Sequence, residues 1–150
     1  PTTSLKIIEE TLTFCEERAR KLGVNLFIKG TALHENIVCR PIEISQVLLN
    51  ALNNSFDAIK DQAETWIRVE VVAIEKHIEW RIVDSGQGVA ADQRDRLMQP
   101  FFTTKPTGQG TGLGLSISKG IIERHGGEFF FDHSATNTTL VIRLPKPAVV

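Results

Sequence analysis

The chain has 150 residues, 41% of them hydrophobic, enough for one buried core and one domain. Its 17 basic and 18 acidic residues leave a net charge of −1, which excludes a global field drawing it to nucleic acid or an anionic membrane surface. No apolar run approaches the ~20 residues of a membrane span, and "PTTSLKIIEE" lacks the apolar stretch of a signal peptide.

Residues 5 to 22 carry Leu5, Ile8, Leu12, Cys15, Ala19 and Leu22 at alternating spacings of three and four, which predicts a helix with one apolar stripe. This spacing suits either a coiled-coil seam or a helix lying on a core. "VNLFI" (24–28) and "NIVC" (36–39) read as short strands. Pro41 then opens a second helix, with Val47, Leu48, Ala51, Leu52, Phe56 and Ile59 as its buried side. Period-two alternation on either side of "EKH" predicts an antiparallel hairpin over 65–86.

Residues 84 to 112 hold many Gly, Pro, Gln and Thr, which predicts a long functional loop with a helical turn around "DQRDRLM". A third helix is expected from about Leu113 to Arg124, stopped by "HGG". "EFFFD" (128–132) and "TTLVIRL" (138–144) read as a second hairpin. Strands that come in pairs and outnumber the helices point to an α/β sandwich, a mixed sheet covered by helices on one face. Cys15 and Cys39 sit in no metal-ligand spacing and read as reduced thiols of a cytosolic protein. A start at Pro1 rather than methionine suggests a piece of something longer.

Four stretches carry chemistry. On the second helix, Asn50, Asn54 and Asp57 recur at four and three residues and share one face. Such a row is either a solvated polar face or a set of oxygens for a hard cation such as Mg2+, which takes few protein ligands. In "IVDSGQGV" a strand ends at Asp84, and Gly86 and Gly88 follow. That is a plain turn, or a carboxylate accepting from an exocyclic amine with glycines passing close to a flat ring. "GQGVAA" also fits a dinucleotide fingerprint, but the chain continues into "QPFFTTKPTGQG" rather than into the helix and parallel strand that fingerprint requires.

The third stretch, "QPFFTTK", contributes Phe101 as part of a hydrophobic plug and Lys105 as a candidate point charge for a terminal phosphate. The fourth, "GQGTGLGLSIS", alternates Gly108, Gly110, Gly112 and Gly114 directly before a helix. Glycine disfavours helix, so its concentration there fits a mobile loop whose backbone donors and helix N-terminus can meet phosphate oxygens. No Walker A pattern is present.

In this order and spacing the four stretches resemble the N, G1, F and G2 boxes of the catalytic ATP-binding domain of sensor histidine kinases, within the GHKL superfamily of ATPases. The resemblance runs from about Pro41 to Leu144, and "PFFTTK" ahead of "GTGLGLSIS" resembles the branch with nitrogen-regulatory and dicarboxylate-sensing kinases. It implies a Bergerat-type sandwich with a mostly antiparallel sheet and three helices on one face. Residues 1–22 would be a linker-proximal helix packed on the domain, and 23–150 the ATP-binding domain.

The resemblance further implies that Asp84 binds the adenine amino group, in a base pocket shaped by Gly86 and Gly88. Asn54 matches the Mg2+-ligating asparagine and Asn50 its partner, and Asn50, Asn54 and Asp57 would be ATP-binding residues. Lys105 and the 108–114 loop would sit over the phosphates as the ATP lid. Phe101, Lys105, Gly110, Thr111, Gly112, Leu113, Gly114 and Leu115 would be ATP-binding residues, with Asn50 and Lys105 as catalytic candidates.

Hydrolytic members of the superfamily carry a glutamate at the position of Asn50, and an amide cannot take a proton from water at neutral pH. ATP held rather than hydrolysed is therefore expected, with Mg2+ as the metal. The phosphoacceptor would be a histidine in a dimerisation and phosphotransfer domain of the same parent, with a response regulator downstream. His34–Glu35 mimics the start of an H-E-x-x-x-P acceptor signature, but Pro41 comes two positions late, and all four histidines read as structural or solvated. A cytoplasmic piece is expected, with no nucleic acid partner and no insertion into a membrane, whether or not the parent is anchored. The alternatives are an ATPase or anti-sigma-factor serine kinase of the same superfamily, and a nucleotide-binding switch without chemistry.

Overall fold

The first helix, α1 (Ser4–Leu22), starts where the Thr3 hydroxyl accepts the Lys6 N–H, and ends on Gly23 in the left-handed region at φ 69°. This computed structural model describes residues 2–89, 91–96, 98–99 and 114–147. The buried side of α1 is Ser4, Ile7, Ile8, Thr11, Cys15 and Ala19. Leu5 and Leu12 are only half-buried and Leu22 is exposed, so the stripe read from apolar spacing is displaced around the helix. The reason is that two polar residues belong to the inner face. Ser4 Oγ accepts the buried Trp80 indole N–H at 2.8 Å, and Thr11 Oγ1 donates to the Ile7 carbonyl at 2.8 Å.

Strand β1 (Thr2–Thr3) pairs antiparallel with β3 (Asn36–Ile37), which is shorter than the strand expected over 36–39. The main sheet contains β2 (Asn25–Gly30), β4 (Trp66–Ile74), β5 (His77–Asp84), β6 (Glu128–Phe131) and β7 (Thr139–Pro145), in the order β2-β4-β5-β7-β6. Among the described strands only β2–β4 is parallel, and the other neighbours are antiparallel, as expected of a mixed, mostly antiparallel sheet.

Helix α2 (Pro41–Ile59) buries every residue expected of its inner side, Val47, Leu48, Ala51, Leu52, Phe56 and Ile59. It packs on β5 and lies between α1 and α3 (Gly114–Arg124), which packs on β6 and β7. Alternation along the strands sends Ile67, Val69 and Val71, then Ile78, Trp80 and Ile82, then Leu140, Ile142 and Leu144 into one core with these helices. By the same alternation Asp84, paired across from Ile67, faces the helices.

Two contacts hold the frame. Arg40, before Pro41, has no side-chain cap for α2. Its N–H instead donates to His125 Nε2 at 3.2 Å, while His125 Nδ1–H donates to the Ile121 carbonyl at 2.8 Å, tying the end of α3 to the start of α2. On the face of the sheet away from the helices, Glu79, only 2% exposed, accepts from Arg81 Nη1 at 3.0 Å and Arg143 Nε at 2.8 Å.

Candidate functional site

The site forms where β5 ends beneath α2. Asp84 is 1% exposed, and its Oδ1 accepts the Gly86 N–H at 2.7 Å. The hydroxyls of Ser55 on α2 and Thr138 just before β7 also donate to this carboxylate. Burial pushes the carboxyl above the usual aspartate range, and the three donors only partly pull it back. No cation among the described residues pairs with it. A buried acceptor of this kind, with lone pairs left over and no counter-ion among the described residues, can receive a neutral donor such as an exocyclic amine.

The glycines serve this geometry directly. A Cβ on Gly86 would lie 2.7 Å from Asp84 Oδ1 and 2.8 Å from Thr138 Oγ1, so any side chain there displaces the carboxylate. The Gly86 carbonyl accepts from the Thr138 N–H at 3.1 Å and Asn137 Nδ2 at 3.2 Å. Gly88, at φ 91°, donates its N–H to Thr138 Oγ1 at 2.9 Å. The chain beyond Gly88 leads to a short 3-10 helix, Ala91–Arg96, and β5 has antiparallel neighbours, so the dinucleotide fingerprint is coincidental.

Along α2, Asn50 and Asn54 are half-buried, and among the described residues neither side chain makes a hydrogen bond. Ser55, whose hydroxyl reaches Asp84, lies about 100° around the helix from Asn54. Asp57 turns toward α1, where its Oδ1 accepts from Arg18 Nη2 at 2.7 Å. Of the glycine run, Gly114 is exposed at the first position of α3 and Leu115 packs against the core. Phe101, Lys105, Gly110, Thr111, Gly112 and Leu113 lie outside the described residues.

Three residues of the site escaped the sequence analysis: Ser55, Thr138 and Asn137. Ser55 had a legible signal, because it is a hydroxyl on the apolar side of α2 between Leu52 and Ile59. Thr138 and Asn137 stand in a polar run whose pairing with Gly86 no local pattern announces.

These features define a nucleotide-binding α/β sandwich, and comparison with known proteins agrees. Residues 39–148 match the family described as histidine kinase-, DNA gyrase B- and HSP90-like ATPase, and the chain belongs to this family. It is 32% identical over 148 residues to the C4-dicarboxylate transport sensor protein DctB of Rhizobium meliloti (strain 1021), covering 97% of this chain and 23% of that protein. Sporulation kinase E of Bacillus subtilis (strain 168) is 34% identical over 141 residues, 93% of this chain and 19% of that one. The chain thus spans about a quarter or less of the length of these curated relatives. Among solved structures, the catalytic domain of histidine kinase ThkA in a nucleotide-free form superposes with a TM-score of 0.83 at 27% identity, covering 94% of this chain and 91% of that one. The sandwich is therefore the Bergerat fold of histidine kinase catalytic domains.

Proposed function

We propose that this chain binds Mg·ATP and donates the γ-phosphate to a histidine of a separate dimerisation and phosphotransfer domain in the same parent protein. The observation that carries the reading is Asp84, a buried carboxylate with Oδ1 held by Gly86 and no counter-ion among the described residues. Adenine offers its exocyclic N–H to the remaining lone pairs, and the bare Gly86 lets the ring lie against the backbone. The amide oxygen of Asn54, without a partner among the described residues, suits Mg2+, a hard cation that takes few protein ligands, and Asn50 stands one turn before it. The metal would supply charge neutralisation at the phosphates. Asp57 borders that end of the site.

Lys105 and the 108–114 stretch would cover the phosphates, with backbone N–H groups feeding the α3 N-terminus. In the transfer the bond from the γ-phosphorus to the bridging oxygen breaks, a bond to an imidazole nitrogen forms, and ADP leaves. Asn50 accepts no proton from water, so the site orients ATP without activating water against it. Residues 1–22 would join the domain to the rest of the parent as a linker-proximal helix, and a response regulator would take the phosphoryl group onward. A solved complex of histidine kinase ThkA with response regulator protein TrrA shares this fold, with a TM-score of 0.79 at 24% identity over 95% of this chain and 40% of that one. Among the described residues no helix is long and apolar enough to cross a membrane. A cytoplasmic placement is part of the proposal.

The test is the fate of γ-labelled Mg·ATP mixed with this chain alone. ATP bound and recovered intact is the expected result. Steady release of free phosphate would make the chain an ATPase and refute the role given to Asn50.

A further inference from the structure

Helices α1 and α2 meet through one charged contact beside the asparagine row. Arg18 Nη1 donates to Asn53 Oδ1 at 2.9 Å and Nη2 to Asp57 Oδ1 at 2.7 Å, with the guanidinium carbon 5.1 Å from the centre of the Phe56 ring. Positions 53, 56 and 57 form one patch on α2, so a single guanidinium reads three neighbours. Asp57 in turn stands three residues beyond Asn54, a separation that puts Cβ atoms roughly 5–6 Å apart. With the phosphates on the Asn54 side of α2, a carboxylate on this part of the helix stands near Mg·ATP, whose net charge is negative, and opposes its binding.

We propose that Arg18 is a charge-balancing residue of the nucleotide site. It acts through Asp57, cancelling that carboxylate's field at the phosphate end, and so makes ATP affinity depend on how α1 is docked. The inference rests on the reading that the Asn54 side of α2 faces the phosphates. The two side chains keep 36% and 26% of their exposure, so water and salt screen part of the effect.

Charge balance has a signature that a mechanical staple lacks. Removing the cation leaves the site more negative, removing the anion leaves it more positive, and removing both restores neutrality. The experiment is isothermal titration of Mg·ATP into the wild-type chain, Arg18→Gln, Asp57→Asn and the double variant at low ionic strength. Arg18→Gln is expected to weaken binding about three- to tenfold and Asp57→Asn to tighten it by a similar factor. The double variant returns to within about twofold of wild type, and all shifts shrink at ~0.5 M salt. Arg18→Lys, which keeps the charge but loses the planar fork, stays nearer to wild type than Arg18→Gln does.

If both single variants weaken binding and the double variant is weaker still, the contact is only a staple and the proposal fails. Unchanged affinity throughout overturns it equally, as does an Arg18→Lys chain that folds but loses as much affinity as Arg18→Gln. A wild-type chain that binds no ATP would instead refute the underlying site, a result distinct from any of these.

Discussion

Asp84 carries its carboxylate to a place where 1% of the residue is exposed, with hydrogen-bond donors around it and no cation among the described residues. Its folded-state pKa is raised by that burial, so the ligand-free fold holds the proton more readily than the unfolded chain does. As pH rises above the unfolded aspartate range, near ~3.9, the unfolded state ionises first and stability falls, and the loss persists at neutral pH. Asp84→Asn is therefore expected to raise the Tm of the ligand-free chain at pH 7 in scanning calorimetry, with the gain vanishing below the unfolded pKa. The same change should abolish ATP binding. Gly86 N–H claims Oδ1, so the new amide nitrogen must take the Oδ2 position and meets an adenine N–H with another donor. Gly86→Ala should weaken ATP by at least about tenfold in a titration, since its Cβ displaces the acceptor and forfeits a buried hydrogen bond. Asp84, Gly86 and Gly88 were legible because they follow one another in the chain. Ser55, Thr138 and Asn137 were not singled out, and Thr138 and Asn137 reach the site only through tertiary pairing.

Among the elements, the central strands and their hairpin are held on the outer face by Glu79, which links β5 to β7 through Arg143, and by Arg81, which reaches Asp132 beyond β6 at 2.6 Å. Glu79→Ala strands two guanidinium groups, a loss of about 2 kcal/mol after allowing for the partial exposure of both arginines, measurable by urea unfolding. Asp132 is held down to about 2, first by the Ser134 hydroxyl and then by Arg81. Its stabilisation is complete above the ordinary aspartate range and is lost as pH falls toward 2. The stability gap between wild type and Asp132→Ala should accordingly close between pH 4 and 2. The pattern of hydrophobic residues located α2, α3 and both hairpins, because each buries a mainly apolar row. It misplaced the face of α1, where Ser4 and Thr11 are buried with their hydroxyls satisfied. The two-residue pairing of β1 with β3 offers no periodicity at all.

Across the whole molecule, three distant segments converge on one carboxylate: the middle of α2, the end of β5 and the residues leading into β7. The order of elements and the fold class were readable because the strands alternate and the helices between them are amphipathic. The assembly of the base pocket was readable only where its parts are local in sequence. Phe101, Lys105, Gly108, Gly110 and Gly112 lie outside the described residues, so the phosphate end rests on Asn50 and Asn54. The central claim is that Asp84 reads the exocyclic amine of adenine, and nucleotide selectivity tests it most directly. Titrating the wild-type chain with Mg·ATP and Mg·GTP under identical conditions should show ATP favoured by at least about 100-fold, because guanine sets a carbonyl oxygen against the buried carboxylate. Equal affinity for the two nucleotides would contradict the account.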